Sequence, residues 1–93
     1  MEKMVLYKSS SCTRCPIAKF ILSRVLTAKG LSYEDVVVER DVEKDPEAMA
    51  ELLMLGAMQT PVLKAGSTVV KEEDALMEGV VKSAVEKWMA PNV

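Results

Sequence analysis

Ninety-three residues, 49% of them hydrophobic, with four glycines and four prolines, fit a single domain over residues 1–93 and leave no room for a second. Twelve Lys and Arg against fourteen Asp and Glu give a net charge of −2, so there is no run of cations to attract nucleic acid or an anionic membrane. The chain has no histidine, which removes Ser-His and Cys-His nucleophile pairs, imidazole bases and histidine metal ligands from consideration.

Met4 to Tyr7 is a short apolar run ended by Lys8 and three serines, the pattern of a buried strand that empties into a loop at Cys12. From Thr13 the period changes. Ile17, Phe20, Ile21, Val25 and Ala28 recur at helical spacing, with Ala18, Leu22 and Leu26 widening the stripe, and Gly30 supplies a left-handed residue to close a helix near Lys29. Val36, Val37 and Val38, inside Tyr33 to Glu39, predict a second strand, parallel to the first because a right-handed helical crossover joins them. The run is followed by acids from Glu39 to Glu47, which read as a solvated face with a helix cap at its end.

Asp45, Pro46 and Glu47 predict a helix start: an N-cap acceptor, a proline at the first helical position and an acid at the positive end of the dipole. Met49, Leu52 and Leu53 form the buried stripe of that helix up to Gly56. Met49, Met54 and Met58 read as core filling, with Met58 also placed to give protein substrates an adaptable apolar rim. Pro61–Leu63 and Thr68–Val70, separated by four residues, predict a hairpin. Val80, Val81, Ala84, Val85 and Trp88 mark an amphipathic last helix with Trp88 in the core, and Glu72, Glu73 and Asp74 are the acids expected in its first turn. The N-terminal apolar run is too brief for a signal peptide or a membrane span, so the cytoplasm is the expected location and no membrane contact is expected.

The two cysteines, Cys12 and Cys15, stand after a predicted strand and at the start of a predicted helix, in the sequence Cys12-Thr13-Arg14-Cys15. Within a first helical turn this spacing puts the sulfurs side by side, able to alternate between dithiol and disulfide. Unpaired backbone amides of that turn favour a thiolate at Cys12, while Cys15 lies deeper. Lowering a thiol pKa from about 8.5 to about 7 raises the thiolate fraction at pH 7 from roughly 3% to roughly 50%, but the accompanying loss of nucleophilicity leaves a net gain of about three- to fourfold. Helix tuning therefore selects which cysteine attacks, and docking of the partner disulfide must supply most of the rate. Two other readings stay open: an iron-sulfur or metal carrier in which two chains share the cysteines around one ion or cluster, and a redox-inert interaction module.

Here the chain resembles the glutaredoxin and thioredoxin-like redoxins, through Cys12-Thr13-Arg14-Cys15 after the first strand, Thr60-Pro61 opening the hairpin, and the element order over residues 3 to 89. The resemblance implies an α/β thioredoxin-like (glutaredoxin) fold, βαβαββα, with a mixed four-stranded sheet and three helices. It also implies thiol-disulfide oxidoreductase activity, with Cys12 attacking and Cys15 resolving, on disulfide-containing protein substrates and with a reductase or thiol as electron donor. In that family the proline at the Pro61 position is cis and faces the dithiol, and Thr60 would offer its backbone to an extended substrate. Arg14 and Lys8 are candidates for an anionic partner or for favouring a thiolate. Glutathione-binding glutaredoxins usually carry Gly-Gly and then Asp before the last helix. Here Lys71-Glu72-Glu73-Asp74 fills that place, keeping Asp74 as a candidate contact while the two extra carboxylates repel those of glutathione. A monomer with no bound cofactor and no resident metal is expected.

Overall fold

Residues 2–90 are described by a computed structural model, in which one four-stranded sheet carries helices on both faces. The first strand, β1 (Met4–Lys8), shows why: Met4 and Leu6 point into one core cluster, while Val5 and Tyr7 point into a second on the opposite face. A strand apolar on both sides belongs in the middle of a sheet. It pairs in parallel with β2 (Val37–Asp41) and antiparallel with β3 (Val62–Ala65), which turns back into β4 (Thr68–Lys71), for a spatial order β2-β1-β3-β4.

Helix α1 (Cys15–Ala28) crosses between the parallel pair and ends as expected: the Lys29 amide donates to Leu26 O, the Gly30 amide donates to Thr27 O, and Gly30 has φ +75°. Its buried side differs from the expected stripe. Cys15, Ala18, Leu22, Val25 and Leu26 face the core, whereas Ile17 and Phe20 are 52% and 61% exposed. Apolar residues cover more than half of the circumference, so two phases satisfied the periodicity, and turning Cys15 inward selects one of them.

The valine run also divides. Tyr33–Val36 forms a short helix, α2, and the strand begins at Val37 and extends through Arg40 and Asp41 to complete its register against β1, where Asp41 faces Lys8. As an edge strand β2 accepts polar residues, which hid its second half from a hydrophobicity pattern. Helix α3 (Pro46–Met54) starts where expected: Asp45 Oδ1 accepts from the Glu47 amide at 3.0 Å and its other oxygen from Arg40 at 3.0 Å. Ala48 and Leu52 form its buried side, while Met49 and Leu53 of the expected stripe are exposed.

The hairpin is tighter than expected, with Ala65 opposite Thr68 and only Gly66 and Ser67 between them. Glu72, Glu73 and Asp74 do not enter the last helix. They form a separate 3₁₀ turn (Glu72–Leu76), and Glu78 is the acid in the first turn of α4 (Glu78–Met89). Glu72 takes φ +52°, a left-handed conformation easier for glycine, and its amide donates to the Pro61 carbonyl at 2.7 Å. Trp88 is in the core and its indole N–H donates to Glu2 O at 2.8 Å. The fold class is therefore the expected one, with α1 and α4 on one face, α3 on the other, and α2 and the 3₁₀ turn added.

Polar networks close the edges of both clusters. Tyr7 Oη donates to Glu51 at 2.8 Å, and Arg40 joins Glu51 to Asp45. Burial, then the hydrogen bond and charge of Glu51, push the Tyr7 phenol up to about 12. At Asp45 burial opposes the charge, but the Arg40 bond and helix amides hold the carboxyl below its ordinary range. Glu39 behaves alike: burial opposes its charge, and hydrogen bonds from Tyr33 and Lys19, with the Lys19 and Lys8 charges, outweigh it. Depressed carboxyls contribute stability that is complete above the ordinary carboxylate range and lost as pH falls through their folded values; the raised phenol contributes stability complete below about pH 10 and lost as pH rises toward 12. Melting temperatures should therefore hold level near neutrality and fall on both sides. A Tm unchanged down to pH 3 would show that these carboxylates gain nothing on folding.

Candidate functional site

The site lies at the C-terminal end of β1, where the sheet stops and a loop must carry the chain to α1. Ser9, Ser10 and Ser11 are held by acids at the end of β2 and just beyond it: the Ser9 and Ser11 hydroxyls donate to Glu43, and Ser10 Oγ donates to Asp41 at 3.1 Å. The Ser11 and Ser9 bonds keep the Glu43 carboxyl below its ordinary range. The Cys12 amide then donates to Ser9 O at 3.1 Å, closing a turn that presents Cys12 at the rim.

Cys12 and Cys15 form a disulfide, with Cα atoms 5.5 Å apart. Their surroundings differ. Cys12 is half-buried, whereas Cys15 is 5% exposed and packs inward on α1. The helix begins at Cys15 rather than before Cys12, so Cys12 precedes the N-terminus instead of lying within its first turn. The relation expected between amide and sulfur is still present: the Cys15 N–H points at Cys12 Sγ, 3.1 Å away.

Opposite stands the Thr60–Pro61 bond, which is cis. Thr60 is buried, and its carbonyl oxygen lies 3.6 Å from Cys12 Sγ. Arg14 Nη2 donates to the same oxygen at 3.1 Å and to Gln59 Oε1 at 3.3 Å. A disulfide sulfur carries no hydrogen, so in this oxidised state the guanidinium is the donor that satisfies the Thr60 carbonyl.

Two clefts open on either side of Cys12. The first, about 390 Å³, has an apolar wall of Val42, Met49, Leu52 and Met58, with Glu43 and Arg14 as its charged groups. The second, about 320 Å³, is lined by both cysteines and bordered by Lys8, Lys19 and Glu39. There Glu39 accepts from Lys19 at 3.0 Å and from the Tyr33 hydroxyl at 2.6 Å, with Lys8 Nζ at 3.9 Å.

Of the residues expected at the site, the structure brings Cys12, Cys15, Thr60, Pro61 and Arg14 together, and Lys8 reaches the second cleft. Asp74 stands elsewhere, in a cleft of about 450 Å³ between β4 and α4, beside Met77, Gly79 and Lys87. Gln59 and Lys19 were not singled out by the sequence, and Glu39 and Glu43, expected in a solvated acidic face, instead bind Tyr33 with Lys19 and the serine hydroxyls, respectively. Lys19 carried one usable signal, its position one helical turn after Cys15; the others lie far from the cysteines in sequence. Met58, 79% exposed, is rim and not core. Among the described residues no group of three or more His, Cys, Asp or Glu side chains converges as a metal site, and no helix is long and apolar enough to cross a membrane.

No family model matches the chain, and no curated protein matches it. Among solved structures, the solution structure of glutaredoxin from Brucella melitensis aligns over 100% of this chain and 95% of that one, at a TM-score of 0.67 and 23% identity. The fold is a glutaredoxin fold. On this glutaredoxin-like scaffold the bonded Cys12–Cys15 pair lies where the sheet gives way to the first helix, facing the cis proline loop.

Proposed function

We propose that the protein is a thiol-disulfide oxidoreductase that reduces disulfides of protein substrates through Cys12 and Cys15. The observation that supports it is the asymmetry of the pair: a partly exposed Cys12 that a backbone amide addresses, bonded to a buried Cys15. In the reduced protein the Cys12 thiolate attacks a substrate disulfide. A Cys12–substrate bond forms, the first substrate sulfur leaves as a thiolate and takes up a proton. Cys15, losing its own proton, then attacks Cys12 Sγ; the Cys12–Cys15 bond reforms and the second substrate sulfur departs. Two electrons have passed from protein to substrate, and a donor thiol restores the dithiol.

Thr60 and Pro61 shape the groove in which the substrate lies. We place the donor among redox proteins, such as a thioredoxin reductase or a ferredoxin-linked reductase, in preference to glutathione, because Glu72 and Glu73 stand where glutathione-binding relatives carry glycines. The working form is a cytoplasmic monomer. The test is a redox titration of the purified chain in thiol-disulfide buffers, reading free thiols by mass, joined to a disulfide-reduction assay with each donor in turn. A single two-electron transition between roughly −180 and −300 mV, with sustained turnover from one donor, is expected. Absence of any reversible dithiol couple would overturn the reading.

A further inference from the structure

The Thr60 carbonyl has two neighbours with opposite demands. In the oxidised protein it needs a donor, and Arg14 Nη2 supplies one at 3.1 Å; Cys12 Sγ lies 3.6 Å from the same oxygen in this state, and once reduced that sulfur must carry negative charge to react. A carbonyl oxygen beside a thiolate is repulsive unless its partial charge is engaged. We infer that Arg14 is a positioning residue, which holds the Thr60 carbonyl in a hydrogen bond and so permits charge on Cys12 when the pair is reduced. This rests on the oxidoreductase reading and goes beyond it, since it assigns the residue between the cysteines a task carried out through the opposite loop.

The surroundings favour Arg14 for this role over the other charges. In the first cleft Glu43 is occupied by the Ser9 and Ser11 hydroxyls; in the second, Lys8 and Lys19 share one carboxylate, Glu39, and are directed to it and not to the Thr60 carbonyl. Arg14 bonds to uncharged acceptors, Thr60 O and Gln59 Oε1, so its guanidinium is given to the proline loop and not to a carboxylate. Its second bond, to Gln59, fixes the guanidinium against the segment that carries the carbonyl.

The experiment is the pH dependence of iodoacetamide alkylation at Cys12 in the fully reduced chain, located by mass spectrometry, for wild type, Arg14→Met and Arg14→Lys. Arg14→Met should raise the midpoint pH, with alkylation below the midpoint slowed about threefold for each unit of rise once the gain in nucleophilicity is counted. Arg14→Lys should recover part of the shift. Repeating the series at 1 M salt separates two mechanisms, because a through-space charge effect is screened there while a local hydrogen bond to the carbonyl persists. A midpoint unmoved by Arg14→Met, or a shift that vanishes at 1 M salt, overturns the inference. Alkylation reads the sulfur without turnover, so that outcome leaves the oxidoreductase reading standing, and a wild-type chain lacking a dithiol couple would fail that reading independently.

Discussion

Cys12→Ser should reduce disulfide turnover to the uncatalysed level, and Cys15→Ser should halt the reaction one bond later. A serine hydroxyl at position 12 offers no thiolate near neutral pH, so the attacking atom is lost while the turn that carries it, closed by the Cys12 amide on Ser9 O, is retained. With serine at position 15 the first exchange still proceeds, but nothing displaces the departing sulfur, and a covalent adduct accumulates. Mass spectrometry of the mixture under non-reducing conditions should find one substrate chain per protein, attached at Cys12 and released by dithiothreitol. The roles are reversed if the adduct maps to Cys15 in the Cys12→Ser protein, and the oxidoreductase reading is lost if Cys12→Ser turns over normally.

The second large effect concerns stability. Leu26 is 0% exposed within the cluster beneath α1 and α4, and Leu26→Ala should cost about 3 kcal/mol through lost burial and the cavity left behind. For a domain of this size that lowers Tm by roughly 12–24 °C. Phe20→Ala, six residues earlier on the same helix but on the solvent side, should change stability by less than about 0.5 kcal/mol, despite removing the larger side chain. Thermal melts of the two variants compare the phases of α1 directly. Similar losses in both would mean that Phe20 is packed against something in solution.

That pair also shows what the amino-acid order disclosed and what it withheld. Local chemistry was legible: Asp45-Pro46-Glu47 opened a helix, Gly30 closed one, and Cys12 and Cys15 marked the junction between strand and helix, because each signal depends on only a few neighbouring residues. The phase of α1 was not legible, since Ile17, Phe20, Ala18 and Leu22 all satisfy a helical period and only packing against the sheet distinguishes them. The polar end of β2 was hidden for a related reason, as Arg40 and Asp41 are held by pairing with β1 and not by burial. Glu43 and Gln59 reach the site through tertiary closure, 31 and 47 positions beyond Cys12, and nothing in their own surroundings announced it.

The attachments that hold the rim in place are made almost wholly by oxygen and nitrogen: serine hydroxyls on Glu43 and Asp41, Arg14 on the proline loop, the Cys12 amide on Ser9. Severing the bridge between the cysteines therefore leaves the scaffolding around them intact. On the oxidoreductase reading, a centre framed in this way is expected to pass between its two states with little reorganisation.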